Sequence, residues 1–393
     1  MNILVFNSGS SSLKYKLFAM PEARELLGGE AQKVGPAMTA SSRIVHRINR
    51  VETIHKVPMA NPAAAFAEVM KLLTAEQAYP IDAIGHRMVH GGTFFTRETI
   101  VDEKVLGTMK QIQNLAPIHN PPSLQIVESC QAQYRSLKQV LVFDTAFHST
   151  IPDYASCCPI PSKLCRKLGI RKYGFHGTSH EYVCRQAAEF LEIPFEQFNA
   201  VSCHLGSGGA SLCAVRQGCS IDNTMGYSPL QGLIMSTRTG QLDAAIPLKL
   251  LSRDGSDFRS VSRFLNSHSG ILGLSQKYSD IRDVLAEKNE NARAVTDAYL
   301  WRIQKYLGSY LLHVGDVHAV IFTDTIGETM ASVRWEICAN LSCFGIQVDY
   351  TANSGKQLKL PADIASADSP VRVLVIQTDE EKAIATKTYW KLN

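Results

Sequence analysis

The chain has 393 residues, 45% hydrophobic and 19% charged, with 40 basic side chains against 36 acidic ones and a net charge of +4. That balance fits a globular protein of two or three domains and gives no sign of a nucleic-acid partner, because no long basic run occurs. No apolar run approaches membrane-spanning length, and the short opening apolar stretch has no basic leader, so the chain reads as cytoplasmic with no membrane contact. The ten cysteines lack any Cys-x-x-Cys or zinc-type spacing and read as reduced, buried small hydrophobes, without disulfides or zinc.

The first element is Asn2-Ile3-Leu4-Val5-Phe6, an apolar run of strand length. It leads into Asn7-Ser8-Gly9-Ser10-Ser11-Ser12-Leu13-Lys14 and then the alternating Tyr15-Lys16-Leu17-Phe18. The pattern predicts strand, tight turn, strand. A turn of Gly and Ser offers bare backbone N–H groups and small hydroxyls, the chemistry of a phosphate cradle, with Lys14 adding a point charge. An ordinary hairpin would read the same way, and no Gly-Lys-Ser/Thr opens a helix as in a P-loop. The motif recurs half a chain later. Val201-Ser202-Cys203-His204-Leu205 leads into Gly206-Ser207-Gly208-Gly209-Ala210-Ser211 and on into Leu212-Cys213-Ala214-Val215. The repeat predicts two related domains with a ligand cleft between them.

Between these loops the spacing predicts a strand at Arg43–Arg47, a helix over Asn61–Ala75, a buried strand over Ile81–Arg87 and a helix over Thr108–Leu115. Ala116–Pro122 reads as irregular because of its prolines, with a helix resuming over Ser123–Gln131. Gln139–Phe143 is a buried strand ending at Asp144. Prolines 152, 159 and 161 mark a domain boundary near residue 150. Beyond it lie a helix over Glu181–Leu191, the second hairpin over 200–225, and a loop-rich segment passing into a helix around Leu242–Leu250. A long helix over Ala292–Val314, a strand over Val317–Phe322 and a helix over Gly327–Cys338 follow. The last strand is Val371–Ile376, and Thr378 with Glu381 forms a capping-box pattern opening the final helix. Hairpins followed by strand–helix alternation in each half predict an α/β fold with mixed sheets.

Polar groups stand where the buried strands end: Arg87, Asp144, Asp324 with Thr325, and Asp379 with Glu380. In open α/β sheets ligands bind at those ends. His86, Arg87 and His90 put three actual or potential cations before Gly91-Gly92. His176 lies between Gly174 and Gly177, which would let a ligand approach the ring, and His119 lies in the proline-rich turn. Arg238 adds a second guanidinium between small residues. Arginines and histidines beside glycine-rich backbone suit the charge on a transferring phosphoryl group.

As a set, these segments resemble acetate kinase, a family of the actin/hexokinase-like phosphotransferases, and they span nearly the whole chain in the family's order. The resemblance implies two duplicated ribonuclease-H-like domains around an interdomain cleft. Residues 1–150, joined by about 379–393, would form one domain and residues 151–378 the other. It implies reversible, Mg2+-dependent, in-line phosphoryl transfer between ATP and acetate, and a homodimer in the cytoplasm. Residue by residue, Asn7, Ser10, Ser12 and Lys14 match the first phosphate loop, and Arg87 and Arg238 the two arginines that hold the acetate carboxylate and the phosphoryl oxygens. His176 matches the histidine that stabilises the phosphoryl group in flight, His119 a secondary histidine, and Asp144 the acid that orients an arginine. Glu380, with Asn7, matches the metal site, Glu381 being the alternative carboxylate. Val89, Ile118, Phe175 and Pro229 match the acetate methyl pocket, which leaves room for propionate as a weaker substrate. His204, Gly206, Ser207, Gly208, Gly209, Asp280, Arg282, Thr325, Gly327 and Thr329 match the donor side.

The donor side also departs from the family pattern. Asp324-Thr325 stands where Ala-Gly or Gly-Gly is usual, Thr329 where Asn is usual, and the second loop has Ser207 and an additional glycine. A branched Thr325 would crowd an adenosine, so a pyrophosphate-dependent enzyme is the competing expectation. A non-catalytic nucleotide- or acyl-phosphate-binding protein is the third, disfavoured by the complete set of charged site residues.

Overall fold

The computed structural model describes all 393 residues except Ser10, Arg50, Gln77, Ala78, Lys356 and Gln357, together with the side chain of Glu76. The chain forms two compact units, Met1–Ala146 with Asp379–Asn393, and Phe147–Thr378.

The first unit is built on eight strands. They are β1 (Asn2–Ser8), β2 (Ser12–Ala19), β3 (Arg24–Gln32), β4 (Arg43–Ile48), β5 (Val51–Lys56), β6 (Ala83–Met88), β7 (Thr99–Ile100) and β8 (Lys138–Phe143), in spatial order β5-β4-β3-β2-β1-β6-β8-β7. β1 to β5 form an antiparallel meander, whereas β1, β6 and β8 run parallel, so their carboxyl ends share one edge. The two-residue period of β1 divides its apolar run between two cores. Leu4 and Phe6 pack with Phe66 and Val69 of the helix Pro62–Glu76 and with Ile126 of the helix Asn120–Gln133. Ile3 and Val5 face Ile384 and Ala385 of the helix Glu380–Leu392. Gly85 on β6 makes the last contact possible, because a Cβ there would lie 2.6 Å from Thr388 Oγ1 and 2.8 Å from Ile384 Cγ2.

The second unit repeats the plan. Its strands are β9 (Ala200–Leu205), β10 (Ala210–Arg216), β11 (Cys219–Asn223), β12 (Ala319–Thr323), β13 (Ala362–Asp363) and β14 (Arg372–Val375), in order β11-β10-β9-β12-β14-β13. Again an antiparallel hairpin run meets parallel strands, here β9, β12 and β14. The helix Gly177–Phe190 packs Val183, Cys184 and Ala187 against one face, and the 25-residue helix Glu290–Val314 lies on β9 and β10.

Three local expectations change. Ala116–Pro122 is not wholly irregular: the helix Asn120–Gln133 starts inside it, because Pro121 and Pro122 occupy a first turn whose N–H groups have no helical acceptor. The helix expected over Gly327–Cys338 is two, Asp324–Thr329 and Ala331–Cys338, meeting at Met330. The cap of the last helix is Asp379, whose carboxylate accepts the Lys382 N–H at 3.0 Å, rather than Thr378, because Glu381 turns instead toward Asn7.

Candidate active site

In the first unit the carboxyl ends of β1, β6 and β8 present Asn7, Arg87 and Asp144, and the final helix begins beside them. Arg87 lies across Asp144, with Nε 3.1 Å from both carboxylate oxygens and Nη2 2.7 Å from Oδ2. Its Nη1 donates to Asn7 Oδ1 at 3.0 Å and lies 3.3 Å from Glu380 Oε2. Burial opposes the Arg87 charge, but Asp144 and Glu380 outweigh it and hold the guanidinium above its ordinary range. The Asn7 amide donates to Glu381 Oε1 at 2.7 Å and to Glu380 Oε2 at 3.3 Å. Glu381 keeps 11% of its side chain accessible and spends an oxygen on the shorter Asn7 bond, and Glu380 keeps 15%, so Glu380 is the slightly better placed of the two to meet a ligand.

Lys16, which sequence reasoning passed over, joins this cluster. Its ammonium lies 3.2 Å from Asp379 Oδ1, 3.5 Å from Glu25 and 3.7 Å from Glu381 Oε2. Burial works against its charge, and the three carboxylates more than offset that and raise its pKa. The signal was present in the alternation of β2, which puts residues 14 and 16 on one face. Lys14 itself is exposed and Ser12 is half-buried at the turn, while Ser10 lies outside the described residues.

The cation cluster expected at 86–90 reduces to Arg87. His86 and His90 are buried, and burial pushes each imidazole down to about 4, so both are neutral parts of the structure. His86 bonds Gln139 at 2.8 Å and stacks on Phe6. Among the apolar candidates of this unit Val89 is buried and Ile118 is 57% exposed, with His119 half-buried at the start of its helix.

In the second unit His176 takes a left-handed backbone (φ 57°) at the N-cap of the helix Gly177–Phe190. Its Nδ1 lies 2.9 Å from Ser211 Oγ on β10, and its ring centroid 4.3 Å from that of His204 on β9. Gly209 is where the second loop meets this ring. A Cβ there would stand 3.6 Å from both His176 Nε2 and Arg238 Nη1. Among the described residues Arg238 has no carboxylate partner, and burial lowers its pKa. Its Nη1 faces only the weak acceptor Met235 Sδ, at 4.0 Å, among the described residues. An imidazole and such a half-buried guanidinium converging on a glycine turn make a site for an anion. Gly174 serves packing rather than ligand approach: with φ 74° it lies against His148, where a Cβ would come within 2.7 Å of the ring. Phe175 is buried and Pro229 half-buried.

The donor-side candidates are tied to one another. His204 Nε2 meets Asp324 Oδ2 at 2.9 Å, and His204 Nδ1 meets Ser179 Oγ at 2.9 Å. Serine, histidine and acid are linked as in a hydrolase triad but through the opposite ring nitrogens, and Ser179 is fully buried with its hydroxyl also on Thr378 at 2.8 Å, so it is no nucleophile. Asp324 has φ 63°, and burial, which would raise its pKa, is outweighed by His204 and Thr325, which hold it well below the carboxylate range. Its carboxylate lies over Gly206, where a Cβ would come within 2.4 Å, and Thr325 Oγ1 faces the Ser207 N–H at 3.4 Å. Gly208 is exposed at the tip of the loop. Arg334 donates to the carbonyls of Gly327 and Glu328 at 2.9 Å each, and Thr329 is exposed with its hydroxyl on Thr325 O. Asp280 caps a helix and holds Arg282 through Nε and Nη2 at 3.0 and 2.6 Å.

Two duplicated mixed sheets, each with a Gly/Ser hairpin loop and an arginine near the carboxyl ends of its parallel strands, define a two-domain phosphotransferase. The chain matches the acetokinase family over residues 2–386 and belongs to it. It is 41% identical over 400 residues to the acetate kinase of Alkaliphilus metalliredigens, covering 99% of both chains. Its fold is that of the acetate kinase of Porphyromonas gingivalis, with a TM-score of 0.92 and 34% identity over the whole of both chains. A propionate kinase from Francisella tularensis is similar at a TM-score of 0.90 and 35% identity, over 98% of both chains. The protein is therefore a kinase, a phosphotransferase with a carboxyl group as acceptor.

Proposed function

We propose that the protein catalyses reversible transfer of a phosphoryl group from ATP to acetate, giving acetyl phosphate and ADP by direct in-line displacement. The observation that carries this reading is the convergence of Arg238 and His176 at Gly209, an arginine with no carboxylate partner among the described residues beside an imidazole on a glycine loop. Acetate is already an anionic nucleophile and needs no general base. The residues must instead hold two anions in line and stabilise the charge on the equatorial oxygens. Arg238 and His176 are assigned to the phosphoryl oxygens, and Arg87, oriented by Asp144, to the acetate carboxylate. Val89, Ile118, Phe175 and Pro229 are assigned to the methyl group, and the two loops to phosphate.

Mg2+ binds through one or two carboxylates with phosphate oxygens and water completing its octahedron. The partly accessible Glu380 carboxylate beside the Asn7 amide fits that donor set, and these two residues would hold the ion. Bound there, it would neutralise charge on the phosphoryl oxygens.

A second reading, pyrophosphate as donor, is favoured by the Asp324–Thr325 pair, which sets a carboxylate on Gly206 and a hydroxyl against the Ser207 N–H. A donor panel separates the two: ATP, GTP and pyrophosphate offered in turn with acetate and Mg2+, the product trapped by hydroxylamine. Saturable turnover with ATP supports the first reading, and turnover with pyrophosphate alone replaces it with the second. Acetyl phosphate from neither donor would refute both. We also propose a cytoplasmic homodimer. Leu248, Phe258 and Phe264, exposed on the helices Ala245–Leu251 and Phe258–Ser267, support the dimer, and light scattering that returned the 43.3 kDa monomer would count against it.

A further inference from the structure

Behind His176 runs a line of hydrogen bonds that reaches Ser202, whose hydroxyl also meets the Cys184 thiol. Ser211 Oγ lies 2.9 Å from His176 Nδ1 and 2.8 Å from His180 Nε2, and the other His180 nitrogen lies 2.9 Å from Ser202 Oγ. Ser202, Ser211 and His180 are fully buried. Burial holds the His180 imidazole far below its ordinary pKa, and His148 and His204 add to the effect. His180 is thus a neutral ring with a single N–H between two hydroxyls.

Each hydroxyl has one proton to donate, and each bond needs one donor and one acceptor. A Ser211 oxygen that accepted from both rings would leave its own proton without a partner in a fully buried place, so the line has two polarities. In one, Ser202 donates to His180 Nδ1, His180 Nε2–H donates to Ser211, Ser211 donates to His176 Nδ1, and the His176 proton sits on Nε2. In the other every bond is reversed and His176 Nε2 carries a lone pair. Nε2 is the nitrogen at the Gly209–Arg238 position, and the oxygens of a phosphoryl group accept hydrogen bonds but do not donate them.

We propose that Ser211 and His180 are positioning residues that hold His176 as the neutral Nε2–H tautomer, so that it meets the phosphoryl oxygens as a fixed donor. The inference rests on the reading of His176 as the histidine of phosphoryl transfer. It adds what sets the ring's state, since the nitrogen that carries a histidine proton is decided by the bond the other nitrogen makes.

The test is long-range proton–nitrogen correlation NMR on the full-length protein labelled with 15N-histidine. The coupling pattern reports which ring nitrogen is protonated, and His176→Gln assigns the His176 signals by deleting them. The expected wild-type pattern is Nε2–H. Ser211→Ala should shift it toward Nδ1–H and lower kcat by roughly ten- to a hundredfold, with KM for acetate and donor unchanged within about twofold. Ser202→Ala, at the far end of the line, should move both readouts the same way by less. An Nδ1–H pattern in the wild type overturns the inference, as does a Ser211→Ala protein whose His176 pattern stays the same or whose loss falls on KM alone. The wild-type measurement needs no variant to fold. An active wild type with Nδ1–H sinks this inference alone, whereas a wild type that makes no acetyl phosphate sinks the functional reading beneath it.

Discussion

The Arg87 guanidinium and the Asp144 carboxylate form a side-on pair, with Nε 3.1 Å from both acid oxygens and Nη2 2.7 Å from one of them. The acid is 1% accessible and the arginine 19%. Asp144 thus spends its charge on aiming Arg87 and balancing it, while Nη1 points to Asn7 and Glu380. Arg238 has no such acid among the described residues. Of these two arginines, one is oriented and neutralised by an acid and the other has none beside it among the described residues.

Removing Asp144 would leave a mostly buried guanidinium with Glu380, the Asn7 amide oxygen and the more distant Glu381 to offset its charge. Asp144→Ala should lower unfolding free energy by roughly 3 kcal/mol as well as abolish turnover. Glu380→Gln, on the more accessible acid, should cost little stability and act on activity, with a raised Mg2+ requirement. Urea unfolding alongside Mg2+ titration of the rate checks both, and equal destabilisation by the two variants would contradict the division of labour.

Arg238→Ala takes away a charge that no carboxylate balances among the described residues, so the fold should tolerate it. The predicted loss in kcat is about a hundred- to a thousandfold, with the melting temperature unchanged or raised. Arg238→Lys should recover only part of it, because a point charge does not reproduce the planar fork. Steady-state kinetics beside a thermal melt is the check. A stability loss as large as that of Asp144→Ala would mean Arg238 has a structural counter-charge.

Both hairpin loops, with Asn7 at the start of the first, were legible because composition and strand period point the same way there; Arg87 and Asp144 were legible as polar residues ending buried strands, and Arg238 as a guanidinium set between small residues. The roles of His86 and His90 were not, since a histidine's charge depends on burial, which spacing at 86–90 does not reveal. Lys16 was hidden for a related reason: its partners Asp379 and Glu381 are more than 360 residues away in sequence and meet it only when the final helix packs on the first sheet. Ser211 ends the second glycine/serine loop and His180 follows His176 by four residues, but a line of hydrogen bonds between a strand and a helix has no signature in one dimension. The proline turn misled because a proline that breaks a helix interior is welcome in a first turn, and its place in the turn is set by packing.

Stability should depend on pH through the buried imidazoles. His86 and His90 have folded pKa values of about 4, against about 6.5 in an unfolded chain. Between those values the unfolded state binds protons that the folded state refuses, so stability rises with pH across the window and is fully present above it. Each ring contributes a slope of at most about 1.4 kcal/mol per pH unit. Urea midpoints should fall steadily from pH 6.5 toward 4, and His86→Gln should flatten that fall by up to one ring's share. Midpoints insensitive to pH in this range would show that these rings are protonated in the fold.

Thr325 faces the Ser207 N–H with its hydroxyl and bonds Asp324 Oδ1 through both N–H and O–H, at 2.6 and 2.9 Å. A donor phosphate seeking that loop amide must displace the hydroxyl. Thr325→Gly should therefore lower KM for the phosphoryl donor severalfold and leave KM for acetate unchanged, and the gain should be larger for ATP than for pyrophosphate if the branched side chain also crowds a nucleoside. Identical donor KM values before and after the change would remove Thr325 from donor selection.

Two glycines of the second loop should respond in opposite ways. At Gly206 a Cβ would come within 2.4 Å of Asp324 Oδ2 and 2.7 Å of Gly209 O, the second a backbone atom that cannot rotate away. Gly206→Ala should destabilise the protein by roughly 1–3 kcal/mol and loosen the His204–Asp324 pair. At Gly209 the added methyl would meet His176 and Arg238 at 3.5 to 3.6 Å, an ordinary contact that strains nothing in the free protein. Gly209→Ala should thus fold with its wild-type melting temperature while filling the space into which the His176 imidazole and the Arg238 guanidinium point. Its expected signature is full stability with kcat/KM for the phosphoryl donor down by a hundredfold or more, on the order of losing one anion-stabilising donor. Thermal melts and donor kinetics on the two variants separate a loop that only shapes the fold from one that receives a phosphate, because in the first case Gly209→Ala would be as active as it is stable.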